Sequence, residues 1–371
     1  GRTRGLGIDS RNSDIILAGG ASGGMWKSTT GGDSWTQTSD LGEILGVTSL
    51  VQDPNNLDTW YYSTGEFSGV RAQGGGGQLY GSGIYTSTNN GDSWSQIQAT
   101  ADNDVSFNSE FDYISRADVS PTTGTAFFAS NGIGIFRSTN QFNTNTLVLG
   151  GFNEHIYADV QVASNGTVIA VISGAFNGIT ATNTPGVHIS TDDGVTWTDL
   201  TPSGYHSNPG RGVIGSSKSN PNIFYAFVAD NSDNPSLYKF DITDLGNVIA
   251  QDRTDNLPNF GDPVGILDLQ GGYNMVCEVH PTDPNLVLIG GTNLFRSVDG
   301  FATAPDDDDN NGLSDDSEKP KYWIGGYSKA NNIAQYTGHH PDQHAVVFDP
   351  NDSDRVFSSH DGGISISDDI T

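Results

Sequence analysis

A unit of two apolar strands joined by a polar turn recurs seven times along the chain. Successive units lie about 40 to 70 residues apart. A unit of this size cannot bury its own hydrophobic faces, so neighbouring units must stack, as the four-stranded blades of a β-propeller do. We therefore predict an all-β fold, a β-propeller of four-stranded antiparallel blades, with seven blades and, as the alternative, eight or more. The units begin at Gly5, Gly46, Tyr113, Ile156, Gly212, Asn274 and Gln343.

After the second strand, most units continue with a glycine turn and a third strand that ends in a polar corner. Ser, Asp, Gly and Trp recur there at fixed spacing, although Thr30 and Asn89 replace the aspartate in two of the three well-formed corners. We expect the hydroxyl and the carboxylate to accept hydrogen bonds from backbone N–H groups, the glycine to supply a positive φ, and the tryptophan to pack beneath the turn. These residues staple a hairpin and are not catalytic carboxylates. They are Ser28, Trp35, Ser87, Trp94, Ser190, Asp192, Gly194 and Trp197.

The corners make the chain similar to the BNR or Asp-box propeller superfamily, which includes sialidases, xyloglucanase-like glycosidases, sortilin-like receptor domains and photosystem assembly factors. The phrases GGASGGMWKSTTGGDSW and HHPDQHAVVFDPNDSDRVFSSHDGGIS look most like the sortilin-related propellers of large exported Bacteroidetes proteins that carry a C-terminal sorting domain. The resemblance covers nearly the whole chain as repeats. It implies a secreted or cell-surface bacterial protein, with the type IX secretion machinery as a further partner.

We expect residues 1–371 to form a single propeller whose last blade is incomplete. The chain ends at SDDIT, just after the third strand of the seventh unit. Because closed propellers leave few free sheet edges, either the N-terminus or a continuation of the parent protein would supply the fourth strand. A start at Gly1, without Met or a signal-like segment, indicates a processed or trimmed chain.

Charge and apolar content limit the partners. The chain has 44 Asp and Glu against 16 Lys and Arg, which gives a formal net charge of −28. This surplus repels phosphate backbones and anionic lipids, so we predict neither nucleic-acid binding nor membrane binding. No apolar run of about 18 residues occurs, so no membrane insertion is predicted. The single cysteine, Cys277, lies in an apolar run, which predicts a buried side chain without a disulfide or a cysteine zinc site.

An acidic segment between the sixth and seventh units has the spacing of a calcium-binding loop. Oxygen-bearing side chains alternate in DDDDNNGLSDDSE, with a glycine in the sixth place and a glutamate in the twelfth. Twelve-residue calcium loops use these places. We predict a structural calcium ion that orders an insertion over residues 304–320; a solvated acidic linker is the alternative, since no helices with apolar faces flank the loop. The predicted ligands are Asp307, Asp309, Asn311, Leu313 through its carbonyl, Asp315 and Glu318.

Histidines and aspartates cluster where the seventh unit begins. If a strand starts there, Asp342 and His344 point to the same side and could face one pocket near the propeller axis. Imidazole with carboxylate suits zinc or another transition metal, or catalysis. The spacing matches no zinc motif, however, and we favour side chains that line the channel with hydrogen bonds. The neighbouring members of this group are His339, His340, His360 and Asp361.

A Gly-rich segment after the second strand of the second unit contains Glu66, with Arg71 nearby. Long loops at one face of a fold commonly carry function. Glu66 with Asp112, Asp159 or Asp268 could form the acid and base of a glycosidase, but a sequence does not set the distance between two carboxylates. The catalytic candidates are therefore Glu66, Asp342 and His344.

Two functions from different classes follow from these features. The first is a non-catalytic module of a larger exported protein that recognises a protein or a polysaccharide at its loop face, where aromatic side chains can stack on sugar rings. The second is a polysaccharide-degrading glycoside hydrolase, which predicts a central acidic cleft and one carboxyl group with a raised pKa. We favour the first, because the structural repeat accounts for most recognisable residues and no catalytic constellation emerges.

Overall fold

The computed structural model describes residues 1–39, 46–67, 79–102, 106, 108–152, 155, 157–174, 183–230 and 232–370. Within these ranges, the chain forms seven antiparallel blade sheets and one separate two-stranded hairpin, and the strands of each sheet pair in the order in which the chain reaches them. The first strands of successive sheets pack against one another, and that of the seventh packs against that of the first. The protein is therefore a seven-bladed β-propeller, as predicted, and the alternative of eight or more blades is wrong.

Six of the seven sheets have four strands. The strands of blades 1 to 4 are β1 (Thr3–Ile8), β2 (Ile16–Gly20), β3 (Gly24–Ser28) and β4 (Thr36–Gln37); β5 (Val47–Gln52), β6 (Trp60–Thr64), β7 (Ile84–Ser87) and β8 (Ser95–Gln96); β9 (Ile114–Val119), β10 (Ala126–Ser130), β11 (Gly134–Ser138) and β12 (Thr146–Gly150); and β13 (Ala158–Val162), β14 (Val168–Ile172), β15 (Gly186–Ser190) and β16 (Thr198–Asp199).

Blade 6 is followed by an additional hairpin, and the sheet of blade 7 has three strands in the described residues. The strands of blades 5 and 6 are β17 (Pro209–Ser216), β18 (Ile223–Asp230), β19 (Pro235–Asp241) and β20 (Ile249–Asp252); and β21 (Val276–Val279), β22 (Val287–Gly290), β23 (Leu294–Ser297) and β24 (Trp323–Gly325). The hairpin is β25 (Tyr327–Ser328) with β26 (Asn332–Gln335), and blade 7 contains β27 (Gln343–Asp349), β28 (Asp352–His360) and β29 (Gly363–Ser367).

The hydrophobic core lies between consecutive blades. The second strand of a blade is covered on both faces by its neighbours, so it reads as a continuous apolar run, such as VIAVI in β14, instead of an alternating one. Phe127 and Ala129 of blade 3 pack in one cluster with Val168 and Ile172 of blade 4. Several outermost strands are short and polar, such as β4, β8 and β16 with two residues each, and all four residues of β20 are exposed.

The ring closes by packing and not by strand exchange. β1 pairs with β2 inside blade 1, so the N-terminal strand does not complete blade 7. Leu6 and Ile8 of β1 instead share a hydrophobic cluster with Phe357 of β28.

The polar corners hold the third and fourth strands together. In blade 4, Ser190 Oγ accepts hydrogen bonds from the Gly194 N–H at 2.8 Å and from the Asp192 N–H at 3.4 Å, and it donates to Asp192 Oδ1 at 2.8 Å. Five blades share the bond from the N–H four residues after the serine. In two of them Phe142 and Phe301 replace the glycine at φ 63° and 54°, because burial of the ring offsets the strain.

The corner tryptophans reach into the interface with the preceding blade. Trp35 packs against the cluster that joins blades 7 and 1, Trp94 against the cluster of blades 1 and 2, and Trp197 against that of blades 3 and 4. Each of these three corners therefore connects its hairpin to the preceding blade as well as closing its own turn.

All first strands begin at the same end of the molecule, which we call the upper face. The chain connects first and second strands at the opposite, lower face by short turns, of which Pro350–Asn351 is the shortest. Longer connections begin and end at the upper face; their described parts are 65–67, 79–83, 173–174, 183–185, 253–275 and 326–342. The exception is the 298–322 connection of blade 6, which contains the acidic insertion.

Helical structure is confined to single turns in the connections. None of these helices is long and apolar enough to span a membrane within the described residues. The 3-10 turns are Gln98–Thr100, Thr254–Asn256, Gln270–Gly272 and Asp316–Glu318, and α1 is Lys319–Tyr322.

Candidate functional site

A cavity of about 230 Å³ runs along the propeller axis and is lined by the first strands of all seven blades. At its upper end, Glu66 follows β6 and its carboxylate accepts hydrogen bonds from Arg2 Nη2 at 2.6 Å and Arg4 Nη2 at 2.8 Å. Residues 2 and 4 alternate along an extended chain, so both guanidinium groups point to the same carboxylate. Glu66 is 2% exposed, and this double ion pair neutralises its buried charge.

Tyr273 lies at the centre of these charges. The Arg4 guanidinium carbon is 4.9 Å from the centre of its ring, and the Arg2 carbon is 5.6 Å away. The tyrosine hydroxyl accepts a hydrogen bond from Arg2 Nη1 at 3.0 Å and donates one to Asp361 Oδ1 at 2.8 Å. Burial and the bond to Asp361 raise the pKa of Tyr273 to about 12. The phenol therefore stays protonated at neutral pH and acts as a donor to the carboxylate.

His344 completes the same group from blade 7. Its Nε2 lies 2.7 Å from Asp361 Oδ1, and its side chain is 0% exposed. Burial and the positive charge of Arg4 lower the pKa of His344 to about 3, so the imidazole is neutral and donates from Nε2. Burial acts to raise the pKa of Asp361, but the hydrogen bonds from His344 and Tyr273 lower it below its usual value. The pair is an aspartate and a histidine that hold each other in fixed protonation states.

Arg211 reaches this group from blade 5. Its Nη1 donates to the carbonyls of Gly272 at 2.6 Å and Tyr273 at 3.4 Å, and Arg4 Nη2 donates to the same Tyr273 carbonyl at 3.2 Å. Burial and the charge of Arg4 lower the pKa of Arg211 to about 10. Residues of blades 1, 2, 5, 6 and 7 thus meet across the channel in what we call the mouth cluster: Arg2, Arg4, Glu66, Arg211, Tyr273, His344 and Asp361.

Asp342 does not share the channel with His344. Its carboxylate accepts a hydrogen bond from Asn274 Nδ2 at 2.9 Å, and its backbone N–H donates to the Thr292 carbonyl at 2.9 Å. The residue has a left-handed φ of 68°, and the register of β27 shifts between Gln343 and Ala345. This irregular start turns the two side chains apart, contrary to our expectation from strand alternation. Burial and the nearby charge of Asp361 raise the pKa of Asp342 to about 6.

The other histidines of this region stack beside blade 7. The ring of His360 is 4.8 Å from that of His339 and 5.8 Å from that of His340, centre to centre. His339 Nε2 lies 2.6 Å from Ser358 Oγ, and His360 Nε2 lies 2.8 Å from Ser365 Oγ. Burial lowers the pKa of His339 to about 4 and that of His360 to about 3. Neutral imidazoles that bond to hydroxyls agree with the hydrogen-bonding interpretation, and zinc at this cluster stays a prediction.

Further carboxyl groups line the channel below the mouth cluster. Asp159 pairs with Arg116 Nε at 3.0 Å and accepts the Ile214 N–H at 2.9 Å. Burial raises the pKa of Asp118 to about 6 and that of Glu278 to about 7. Both residues line the axial cavity, so two carboxyl groups that hold protons near neutral pH face one enclosed space.

The carboxylates that we considered as partners of Glu66 are bound elsewhere. Asp112 accepts the N–H groups of Asn108 and Ser109, Asp159 pairs with Arg116, and Asp268 Oδ1 accepts the Gln270 N–H. Arg71 lies outside the described residues. Glu66 is bonded to two arginines, which gives it a structural contact without deciding its catalytic role.

The acidic insertion brings part of the predicted calcium set together. One carboxylate oxygen from each of Asp307, Asp309 and Asp315 lies within 4.8 Å of the others. Calcium takes about six to eight oxygen ligands, so three carboxylates would supply only part of such a set. Glu318, the predicted bidentate ligand, instead forms an ion pair with Lys321 at 3.1 Å. Asn311 Oδ1 accepts the Leu313 N–H at 2.8 Å. The residues therefore fit a calcium site in part, and the ion stays a prediction.

Sequence reasoning missed most of the mouth cluster. Arg2, Arg4, Arg211 and Tyr273 carry no motif, and long-range packing alone brings them together. One signal was available: ten residues of the chain are Arg, and two of them alternate at the very start of a strand in a strongly acidic protein. Two positive side chains that point to the same side of a strand need a negative group near them if they are buried.

Comparisons with known proteins show the fold. No family model matches the sequence, and no curated protein matches it. Among solved structures, a GH74 xyloglucanase from Xanthomonas campestris is similar over 100% of this chain and 52% of its own, with 17% identity and a TM-score of 0.61. The chain thus spans about half the length of that enzyme.

Structures of two other proteins, neither of which is described as a glycosidase, are also similar to this chain. YCF48 from Cyanidioschyzon merolae has 12% identity and a TM-score of 0.53 over 98% of this chain and 94% of its own, and a YCF48 structure with a bound D1 peptide is also similar. A domain described as the extracellular part of a one-component system from B. thetaiotaomicron has 12% identity and a TM-score of 0.50 over 99% of this chain and 40% of its own. At these identities the likeness establishes a β-propeller and no activity.

Proposed function

We propose that this chain is a non-catalytic recognition module that binds a protein or a polysaccharide at its upper face, within a larger exported protein. The distribution of connections carries the proposal. The described parts of the long connections, residues 65–67, 79–83, 173–174, 183–185, 253–275 and 326–342, lie at the upper face, where the axial channel has its mouth, whereas the lower face has mainly short turns in the described residues. Long loops on a rigid scaffold are where binding residues concentrate.

The chemistry of the mouth cluster supports recognition over catalysis. Glu66 is held by two guanidinium groups, and the neutral His344 is held by Asp361. A general acid or base needs a pKa near the working pH, and the lowered pKa of His344, about 3, does not meet this condition at neutral pH. These groups fix the shape of the upper face and have little proton-transfer capacity to offer.

Aromatic side chains beside the mouth offer contact area. The ring of Phe67 is 5.0 Å from that of Tyr113 and 5.6 Å from that of Tyr157, and the rings of Tyr80 and Tyr113 are 5.4 Å apart. Phe67 and Tyr80 are half-buried. Such rings supply large contact area with little loss of conformational freedom in peptide or sugar binding. YCF48, whose fold is similar, has been solved with a bound peptide, which favours a polypeptide ligand.

The proposal can be tested by screening a random peptide library and a polysaccharide array with the purified chain, and by repeating the screen with two variants. Phe67→Ala removes an aromatic side chain at the channel mouth, and Val298→Ala removes a side chain that is 54% exposed in a connection at the lower end of β23. We expect Phe67→Ala to weaken binding and Val298→Ala to leave it unchanged. Equal binding by all three proteins would contradict an upper-face site.

A glycoside hydrolase is the second candidate, because Glu278 and Asp118 provide the raised carboxyl pKa values that such an enzyme needs. GH74 enzymes of similar fold make xyloglucan the first substrate to test. Release of reducing ends that disappears in Glu278→Gln would establish this function. Binding to xyloglucan without product would support the recognition module.

The exported location, the bacterial source and a link to the type IX secretion machinery belong to the same proposal. They rest on the similarity of the blade phrases to sortilin-related propellers, to which the extracellular domain from B. thetaiotaomicron adds an extracellular protein of similar fold. Fractionation of cells that produce the parent protein, with immunodetection of this segment, would test the location.

A further inference from the structure

Three aspartates come near one another at the upper face beside blades 6 and 7. Asp268 lies in the connection before β21, Asp342 directly before β27, and Asp361 directly after β28. All three are half-buried. The charges of Asp361 and Asp268 both act on Asp342, and those of Asp342 and Asp268 both act on Tyr327, so the carboxylates surround one small region.

A buried oxygen without a hydrogen-bond partner lies in the same place. Asn274 is 0% exposed, and its Nδ2 donates to Asp342 Oδ1 at 2.9 Å. Among the described residues, its Oδ1 has no hydrogen-bond partner. The two amide atoms share one carbon, so this oxygen lies beside the Asp342 carboxylate. A desolvated acceptor that lacks a donor is costly, and native proteins leave few of them.

The second buried amide next to Asp342 repeats the pattern. Gln343 is 0% exposed and its Nε2 donates to the His340 carbonyl at 3.0 Å, while its Oε1 has no hydrogen-bond partner. In both amides, the nitrogen donates to a neighbouring oxygen, whereas the amide oxygen has no hydrogen-bond partner among the described residues. Carboxylates and amide oxygens together require a ligand that brings N–H donors and positive charge.

An ammonium group fits this requirement better than a metal ion. In the part of the chain that the structure describes, only Asp307, Asp309 and Asp315 converge closely enough to share an ion. The carboxylates around Asp342 are spread more widely, whereas an ammonium can hydrogen-bond to one carboxylate and one amide and still gain from the charges of the others.

We propose that Asp268, Asn274, Asp342 and Asp361, which we call the acidic recess, bind the ammonium group of a lysine side chain of a partner protein. This inference rests on the proposed recognition function and specifies its partner as a basic polypeptide. The net charge of −28 would draw such a partner to the surface, and the recess would fix where it docks. Burial and the charge of Asp361 keep the pKa of Asp342 raised, so a bound cation would be stabilising there.

The test compares Asp342→Asn with Asp33→Asn by calorimetric titration of an acetylated tetralysine peptide. Both variants remove one negative charge, but Asp33 is exposed in a lower-face corner of blade 1. Asn tolerates the left-handed φ of 68° at position 342, so the fold should persist, which thermal unfolding verifies. We expect affinity to fall about tenfold in Asp342→Asn and to change less than about twofold in Asp33→Asn.

Equal losses in both variants would overturn the proposal, because the peptide would then follow net charge alone. A tetralysine peptide with acetylated side chains should fail to bind, and binding of that peptide would overturn it as well. The outcomes also separate this inference from the proposed function. If library ligands bind in a manner sensitive to Phe67→Ala but not to Asp342→Asn, upper-face recognition stands and the acidic recess does not.

Discussion

Replacing Glu66 by Gln should cost the fold about 3 kcal/mol. Glu66 is 2% exposed and neutralises both Arg4, whose side chain is 6% exposed, and Arg2, whose side chain is 31% exposed. Removing one partner of a buried ion pair typically costs about 3–5 kcal/mol, because the remaining charge stays desolvated and unpaired. The partial exposure of Arg2 and the remaining hydrogen-bonding capacity of the Gln side chain place this case at the lower end of that range.

Urea unfolding followed by tryptophan fluorescence measures this cost, with Arg2→Gln as the control. Because Arg2 is partly exposed, we expect about 1 kcal/mol or less for that variant. The double variant Arg4→Met with Glu66→Leu should recover most of the stability, since apolar groups of similar volume need no counter-charge. A Glu66→Gln variant that unfolds within about 0.5 kcal/mol of the parent would refute the reasoning. If Glu66→Gln were as stable as the parent but no longer released reducing ends that the parent releases from a polysaccharide, Glu66 would act as an acid or base instead.

Three further predictions address stability. Ser190→Ala removes the acceptor for the Gly194 N–H and should lower the unfolding free energy by about 1–3 kcal/mol. Val195→Ala, at a position in the same corner that is 65% exposed, is the control and should change the unfolding free energy by less than about 0.5 kcal/mol. Thermal unfolding measures both. Burial raises the pKa of Glu278 from the usual 4.5 to about 7, so the ionisation of Glu278 lowers the stability of the fold as the pH rises through this interval. Glu278→Gln should have the melting temperature of the parent at pH 4 and a higher one at pH 8. A difference in melting temperature that does not change with pH would contradict this. Calcium should raise the melting temperature of the parent but not of Asp309→Ala, and EDTA without effect on either would argue against the ion.

The sequence was sufficient for the architecture because blades are local. Each blade is one stretch of chain with its own strand pattern and corner, so periodicity and turn residues such as Ser190 and Gly194 could be read directly. The corner of blade 6 is not among the three well-formed corners of the sequence, although its bond from the Phe301 N–H to Ser297 Oγ at 2.8 Å corresponds to the bond in the glycine corners. Burial of a phenylalanine in a left-handed conformation depends on the neighbouring blade, which no local pattern reports.

The site was harder to predict because its groups come from distant blades. Arg2 and Tyr273 are hydrogen-bonded although 271 residues separate them, and no spacing rule relates them. Alternation along a strand also failed for Asp342 and His344, since a left-handed φ and a register shift lie at the start of β27. Irregular strand ends at the upper face thus decide which side chains meet, and they are the least predictable part of a β-sheet.

The mouth cluster and the acidic recess are connected through Tyr273 and Asn274, which are adjacent in the chain. Tyr273 bonds to Arg2 and Asp361 and so helps to hold blade 1 to blades 6 and 7, while Asn274 bonds to Asp342 and offers an unpartnered oxygen. In the described residues β1 joins no strand of blade 7, so these polar contacts and the packing of β1 against β27 connect blade 1 to blade 7. A ligand that binds Asp342 would therefore contact the same segment that links blade 1 to blade 7, because Tyr273 and Asn274 are adjacent in the connection before β21.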